Sequence, residues 1–339
     1  MGKRKANYSK MAKDMRISLV EQIFIEYPRL QKLLDVISHC HQYSKIAAEP
    51  WCSLITGWAG AGKTKLYEYY MKRFPRKITE EGTTVTVLSA RIPERPSVPK
   101  LVTVLLEKLG DPAAGKGNST IQTLRLYHLL KDCGVELIIL DEFQHFVDWD
   151  SLKILKSVSD WLKNLIDETK VPVILIGMPY SDIVLGAVGN SQLKRRFSLR
   201  QRLDFFGWDT DEEKDDFRRF LKILDDQLPL KESSHFSDTN MAFRFYCATN
   251  GVVAYVMKIA RRSAVLAIEQ EREQVNLDML ARAYDELMAI EFPERKNPFS
   301  HDIALLNIEP FEYTAPTLRA TGRRTHAKEK NLTAFDILR

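Results

Sequence analysis

Long hydrophobic runs are missing from this sequence of 339 residues. No stretch approaches the roughly 20 consecutive apolar residues that a membrane-spanning helix needs, so no membrane partner is expected. The opening residues, MGKRKANYSK, contain no apolar signal core, which argues against export. Ala6 stands where the myristoylation pattern requires serine or threonine. These absences favour a cytoplasmic protein.

Cysteine is scarce and gives no pattern. The four residues are Cys40, Cys52, Cys133 and Cys247. They form no C-x-x-C pair, which favours reduced, partly buried thiols over a disulfide framework. The run 39–41, His-Cys-His, predicts no metal site, because adjacent residues of a helix point in different directions and no second cluster completes the ligand set.

The net charge is only +5, but its distribution is uneven. Residues 1–16 carry six Lys/Arg against one acid, and residues 319–339 carry six against two. Two basic tails favour a polyanionic partner or mobile partner-binding arms. The alternative is a pair of solvated termini.

Short apolar runs alternate with amphipathic segments over the first part of the chain. The predicted strands are 52–56, 84–90, 135–140, 171–176 and 203–206. The predicted helices between and before them are 17–47, 63–73, 100–109, 119–132 and 151–168. This alternation predicts an α/β fold with a parallel five-stranded sheet that is covered by helices on both faces.

Only helices are predicted after this region, at 211–228, 239–247, 251–270 and 276–290. We therefore divide the chain into four regions. They are a basic N-terminal arm at 1–20, the α/β domain at 21–210, a small α-helical lid domain at 211–290 and an extended basic C-terminal tail at 291–339.

A glycine-rich loop lies between the first strand and the next helix. Its sequence, GWAGAGKT, matches G-x-x-x-x-G-K-[ST] in full. Such a loop turns main-chain N–H groups around phosphate oxygens, and the helix N-terminus adds a positive field. Lys63 can reach the β- and γ-phosphates of ATP, and Thr64 can ligate Mg²⁺. The predicted nucleotide-binding residues are Gly57, Trp58, Ala59, Gly60, Ala61, Gly62, Lys63, Thr64 and Lys65.

An acidic pair, Asp141-Glu142, ends the apolar strand LIIL. A buried parallel strand delivers such residues to the edge of the sheet that carries the phosphate loop. Asp141 is predicted to hold the metal, and Glu142 to orient or deprotonate the attacking water. The alternative for the pair alone is a helix cap. Together with the loop it predicts hydrolysis of ATP to ADP and phosphate.

The basic block 194–197, KRRF, follows the fourth strand. Arg196 is a candidate arginine finger that reaches the γ-phosphate held by a neighbouring subunit, and Arg195 is the weaker candidate. The alternatives are a surface basic patch or a nucleic-acid contact, because Arg200 and Arg202 follow.

Two polar loops carry candidate DNA contacts. The proline-rich loop contains Arg95 and Lys100, and the loop at 110–120 contains Lys116 and Thr120. We expect both to project from one end of the sheet. Basic and hydroxyl side chains suit contact with a phosphate backbone without base reading. Merely soluble loops are the alternative.

These motifs together resemble the AAA+ transposition regulators of Tn7-like and Mu-like elements, the TnsC/TniB group. The resemblance covers residues 20–300 and rests on GWAGAGKT, GVELIILDEFQHF, VPVILIGMP, QLKRRF and FPERKNPF. It implies an AAA+ P-loop NTPase that uses ATP and Mg²⁺. It also implies hexameric or heptameric rings, or filaments, on double-stranded DNA. These would link a TniQ-type target selector, in some systems with a CRISPR effector, to TnsA/TnsB-type transposase subunits.

The resemblance assigns Arg196 to the finger acting between subunits, and Lys100 and Thr120 to DNA-backbone contacts. The sequence departs from the group at Gly177, which is followed by Met178 where relatives commonly have a polar residue. Tyr180 or Ser181 is a candidate replacement for that γ-phosphate sensor. The candidates for the second sensor, usually an arginine of the lid, are Lys258 and Arg261.

Two other functions remain compatible with the sequence. A replication initiator or helicase loader would share the fold, but would need a DNA-reading module such as a helix-turn-helix. A nucleotide-switched signalling scaffold would dock proteins and ignore DNA, so it would show no salt-sensitive DNA binding.

Overall fold

The structure, a computed structural model, describes residues 8, 11–80, 82–148, 152–186 and 191–311. The described residues form two compact units. The sheet unit runs from 29 to 203, and the helical unit joins residues 11–28 to 204–311. The predicted domain boundaries at 20/21 and 210/211 remain a prediction, since units of contact and domains need not coincide. No helix within the described ranges is long and apolar enough to cross a bilayer.

The sheet unit alternates strands and helices along the chain. Its strands are β1 (Ser53–Thr56), β2 (Lys77–Thr79), β3 (Gly82–Thr84), β4 (Val87–Arg91), β5 (Leu137–Asp141), β6 (Val173–Gly177) and β7 (Leu199–Arg202). Its helices are α2 (Pro28–Tyr43), α3 (Lys63–Met71), α4 (Val98–Leu109), α5 (Ser119–Asp132), α6 (His145–Asp148), α7 (Leu152–Thr169), α8 (Ile183–Gly186) and α9 (Ser191–Arg196). A 3₁₀ turn, Pro179–Asp182, follows β6.

The main sheet has five parallel strands in the order β4-β5-β6-β1-β7, so the predicted α/β fold is confirmed. The three central strands are buried along their whole length, as their unbroken apolar sequences require. Parallel strands bring their carboxyl ends to one edge. The segments that follow β1, β5 and β6 therefore meet there.

The fifth strand was predicted at 203–206 and lies instead at β7, where Ser53 pairs with Leu199. The sequence LRQR at β7 lacks an apolar run, and its side chains alternate between half-buried and exposed, as the edge position of the strand allows. A small hairpin, β2–β3, was not predicted.

The predicted helix 17–47 is two helices, α1 (Lys13–Gln22) and α2, with an extended segment between them. The break falls before Pro28, since proline disfavours helical geometry in the residue that precedes it. Part of the predicted basic arm is thus helical. Arg16 in α1 is buried and donates hydrogen bonds to the Pro229 carbonyl and to Glu273.

The helical unit consists of α1, α10 (Asp211–Gln227), α11 (Thr239–Thr249), α12 (Val253–Glu269) and α13 (Leu277–Leu287). Helix α10 begins at a capping box between Thr210 and Glu213. The segment 291–311 contains a 3₁₀ turn, Ile303–Leu305, and packs on this unit through Phe299, which contacts Phe245. The remainder of the predicted tail, 312–339, lies outside the described residues, as does most of the arm before α1.

Candidate nucleotide-binding site

The phosphate loop, residues 57–64, connects β1 to α3. Gly60 and Gly62 have φ angles of +83° and +100°, which only glycine adopts without strain. Gly62 is the N-cap of α3, so the helix N-terminus follows directly on the loop. A Cβ atom at Gly57 would clash with the Leu203 carbonyl oxygen. The loop geometry therefore depends on its glycines and fits a polyphosphate cradle.

The other residues of the loop differ in their exposure to solvent. Trp58 is half-buried, Ala59 is exposed and Ala61 is buried. Lys65 projects from the exposed side of α3 and forms an ion pair with Glu68, with 2.7 Å between Nζ and Oε2. Its side chain thus has a partner on its own helix.

Lys63 lies across the loop. Its Nζ donates to the carbonyl oxygens of Gly57 at 2.7 Å and Trp58 at 2.9 Å. Burial lowers the pKa of Lys63, whereas the carboxylates of Asp141 and Glu142 oppose that shift. A lysine held inside the loop between carbonyls and acids provides a positive charge beside the place where phosphates would bind.

Thr64 and Asp141 are brought together from two elements. The Thr64 hydroxyl donates a hydrogen bond of 2.9 Å to Asp141 Oδ2. Asp141 is only 3% exposed, and its Oδ1 accepts from the Glu142 main-chain N–H at 2.8 Å. Burial is the main reason why the pKa of the neighbouring Tyr67 is raised, and a hydrogen bond to Asp141 adds to it. A hydroxyl and a carboxylate oxygen at this spacing fit Mg²⁺, which prefers hard oxygen ligands.

Glu142 leaves the end of β5 with a φ angle of +59°, an uncommon value for a residue with a side chain. Such a conformation costs about 1–3 kcal/mol and persists only where surrounding contacts enforce it. The carboxylate is held at both oxygens. Oε1 lies 3.1 Å from Arg91 Nη2, and Oε2 accepts from the Gln144 side-chain amide. About a quarter of the side chain is exposed, at 26%.

Gln144 contacts both Glu142 and the loop after β6, and its position in the sequence did not predict these contacts. Its amide oxygen accepts from the Met178 main-chain N–H at 3.2 Å, and the residue is buried. The sensor candidates Tyr180 and Ser181 are also buried, and the Tyr180 hydroxyl donates to Asp148 at 3.0 Å. The only available signal was the position of Gln144, two residues after the acidic pair.

The sequence profile of the family described as "Bacterial TniB protein" matches residues 16–206, more than half of the chain. The chain belongs to this family. The predicted kinship with the TnsC/TniB group is therefore confirmed. No curated protein matches the sequence.

Solved structures of AAA+ proteins resemble this TniB family member in fold. Cdc6p from Pyrobaculum aerophilum matches with a TM-score of 0.58 and 16% identity, over 80% of this chain and 70% of that chain. The ORC2 protein of Aeropyrum pernix matches with 0.58 and 15%, over 82% and 74%. The ORC1 protein of Aeropyrum pernix, solved in complex with DNA, matches with 0.54 and 16%, over 80% and 69%. At these identities the likeness concerns the fold alone.

Arg196 of this TniB family member is not near its own phosphate loop. It ends α9, and its carbonyl oxygen accepts from the Cys52 N–H at the start of β1, whereas the loop follows the end of β1. Its guanidinium forms an ion pair with Asp167 of α7. Arg195 is exposed. The two remaining sensor candidates lie in α12, where Arg261 donates to the Ile23 carbonyl and Lys258 lies over the Tyr255 ring.

The predicted DNA contacts are all exposed: Arg95, Lys100, Lys116 and Thr120. Lys100 Nζ donates to the Arg95 carbonyl at 3.0 Å. The start of α5 is attached to α4 by Gln122, whose amide donates to Thr103, one turn after Lys100, and to the Ala114 carbonyl. The two loops thus belong to one packed pair of helices, and whether they touch DNA stays a prediction.

Proposed function

We propose that this TniB family member is an ATP-dependent, DNA-binding regulator of transposition in the bacterial cytoplasm. It assembles on double-stranded DNA as a ring or filament. There it links a TniQ-type target-selection complex, with or without a CRISPR effector, to TnsA/TnsB-type transposase subunits. ATP binding favours the assembled state, and hydrolysis to ADP and phosphate favours its release.

The observation that carries the ATPase part is the hydrogen bond between Thr64 and Asp141 beside the phosphate loop. These oxygens would hold Mg²⁺, which would supply charge neutralisation at the β- and γ-phosphates. Lys63 and the loop N–H groups bind and orient the phosphate chain. Glu142 orients the attacking water and accepts its proton. Asp141 ends β5 and Glu142 follows it, and Lys63 and Thr64 follow β1, so these groups lie at the same end of the parallel strands.

The assembly part is supported by the position of Arg196. This residue lies at the other end of β1 from the phosphate loop, so it suits a site in a neighbouring copy. An arginine supplied between subunits stabilises charge that develops during phosphoryl transfer. Assembly would then complete each active site, which links oligomerisation to nucleotide state.

The DNA part is supported by membership of the family and by the exposed basic residues on α4 and the loop before α5. The ORC1 protein of similar fold was solved in complex with DNA. Lys100 and Lys116 would contact backbone phosphates and would leave base identity unread.

The decisive experiment measures binding to a fluorescent double-stranded DNA with ATP, ADP or no nucleotide, at several salt concentrations. We expect salt-sensitive, cooperative binding with ATP that ADP does not support. Lys63→Ala should remove the ATP dependence and the turnover together. A protein that hydrolyses ATP without binding DNA would be a signalling scaffold. Tight binding to one DNA sequence without ATP would favour a replication initiator, the function that the Cdc6p and ORC folds make the main competitor.

A further inference from the structure

We infer that Gln144 is a positioning residue for ATP hydrolysis, which fixes the Glu142 carboxylate and connects it to the loop that follows β6. The inference rests on the proposed ATPase function. It assigns a role to a buried polar side chain that the proposed mechanism does not otherwise use.

The orientation of the Gln144 amide is determined by its neighbours. The Met178 main-chain N–H can only donate, so the atom facing it at 3.2 Å is the amide oxygen. The amide nitrogen must then face Oε2 of Glu142. Because that nitrogen can only donate, it fixes the position of an accepting Glu142 oxygen, which a residue that orients the attacking water needs.

The loop after β6 leaves little freedom to this glutamine. A Cβ atom at Gly177 would clash with the Ser181 hydroxyl and would lie 3.1 Å from the Gln144 amide oxygen. The Phe143 N–H donates to the Ile176 carbonyl at 2.9 Å, which fixes the chain just before Gln144 to β6. A shift of the loop after β6 would therefore move the Gln144 amide and, through it, the Glu142 carboxylate.

The test uses two variants of the full-length protein. Gln144→Leu keeps a side chain of similar size and removes both hydrogen bonds. We expect its kcat for ATP to fall by about tenfold or more, because the base loses its orientation, while KM changes little. Gln144→Asn keeps the amide on a side chain that is one methylene shorter. It should recover part of the kcat that Gln144→Leu loses, because its amide can still bond one of the two partners.

Asn297 offers a matched control. Its amide nitrogen donates to Asp285 and its amide oxygen accepts from the Phe299 N–H, the same pattern in the helical unit. Asn297→Leu should lower the Tm but leave kcat per folded molecule and KM unchanged. The circular dichroism melt of every variant reports the folded fraction.

The outcomes separate the two proposals. If the parent protein hydrolyses no ATP, the proposed function itself fails. If the parent turns over and Gln144→Leu matches it per folded molecule, only the positioning role is refuted. The same holds if Gln144→Asn recovers none of the kcat that Gln144→Leu loses, because restoring the amide would then have no effect on turnover.

Discussion

Arg196 and Asp167 form an ion pair near the amino-terminal end of β1. The phosphate loop follows the carboxyl-terminal end of the same strand. The four residues of β1 alone span about 13 Å. The arginine is paired with Asp167 on α7, at the opposite end of β1 from the phosphate loop of its own chain. If it acts in catalysis, it does so in another copy.

The first prediction tests whether Arg196 of one copy acts at the nucleotide site of another copy. Arg196→Ala should bind ATP normally and lose about 10³-fold in kcat, the magnitude typical of an arginine finger. Lys63→Ala should be inactive because its own site no longer holds phosphate. Mixing the two inactive proteins should restore turnover, since the second provides Arg196 to the intact site of the first. Steady-state phosphate release measures this.

Arg195→Ala is the matched control, because the neighbouring side chain is exposed and carries the same charge. It should hydrolyse ATP like the parent. Absence of recovery in the mixture, with both proteins folded and co-assembled, would place the defect of Arg196→Ala within its own subunit.

The second prediction concerns Glu142. Glu142→Gln keeps the size of the side chain and removes the base, so hydrolysis should fall by about 10²- to 10⁴-fold. Nucleotide affinity should persist, because Lys63 and the loop are unchanged. The variant should therefore remain assembled on DNA after ATP addition, which the decay of a DNA-bound fluorescence signal would report.

Glu168→Gln, an exposed acid on α7, controls for the loss of one negative charge. It should turn over and dissociate at the parental rate. Turnover of Glu142→Gln at that same rate would remove Glu142 from the mechanism.

The phosphate loop and the acidic pair were predictable because each consists of consecutive residues whose types and spacing indicate their chemistry. Glycines at fixed spacing, next to an apolar strand, determine the main-chain geometry at Gly62. The apolar run before Asp141 predicts a buried strand whose end lies beside the loop. Both features depend on local sequence and on a general property of parallel sheets.

The contacts that were missed depend on pairing between distant segments. Gln144 acquires its role only because β6 brings Met178 beside it. The edge strand β7 was misplaced because a strand with one covered face needs no apolar run, and its partner β1 lies far away in sequence. Similarly, the Asp167 partner of Arg196 could not be predicted from either segment alone.

The third prediction tests the basic surface on α4 and the loop before α5. Removing one phosphate contact should lower the slope of log K against log salt by about 0.9. Lys100→Ala and Lys116→Ala should each do so, without changing ATP turnover in the absence of DNA. Lys222→Ala, on the exposed face of α10, should bind DNA like the parent. Unchanged slopes for both Lys100 and Lys116 variants would move the DNA surface elsewhere.

The fourth prediction concerns His41, a fully buried residue of α2. Its ring nitrogens contact the Tyr70 hydroxyl at 2.8 Å and Glu136 Oε2 at 2.9 Å, and Lys45 shares that carboxylate. Burial lowers the pKa of His41 from 6.5, and Glu136 opposes the shift only in part. The unfolded imidazole therefore takes up its proton at a higher pH than the folded one.

Proton linkage gives the direction in which His41 changes the free energy of unfolding with pH. Below about pH 6.5 the unfolded state binds more protons than the folded state, so the free energy of unfolding falls as the pH falls. His41→Gln can still form hydrogen bonds but does not titrate, so its Tm should vary less between pH 7.5 and 5.5 than that of the parent. His128→Gln, which removes an exposed histidine, should keep the parental dependence. Equal slopes for the parent and His41→Gln would mean that other groups govern the acid sensitivity of the sheet unit.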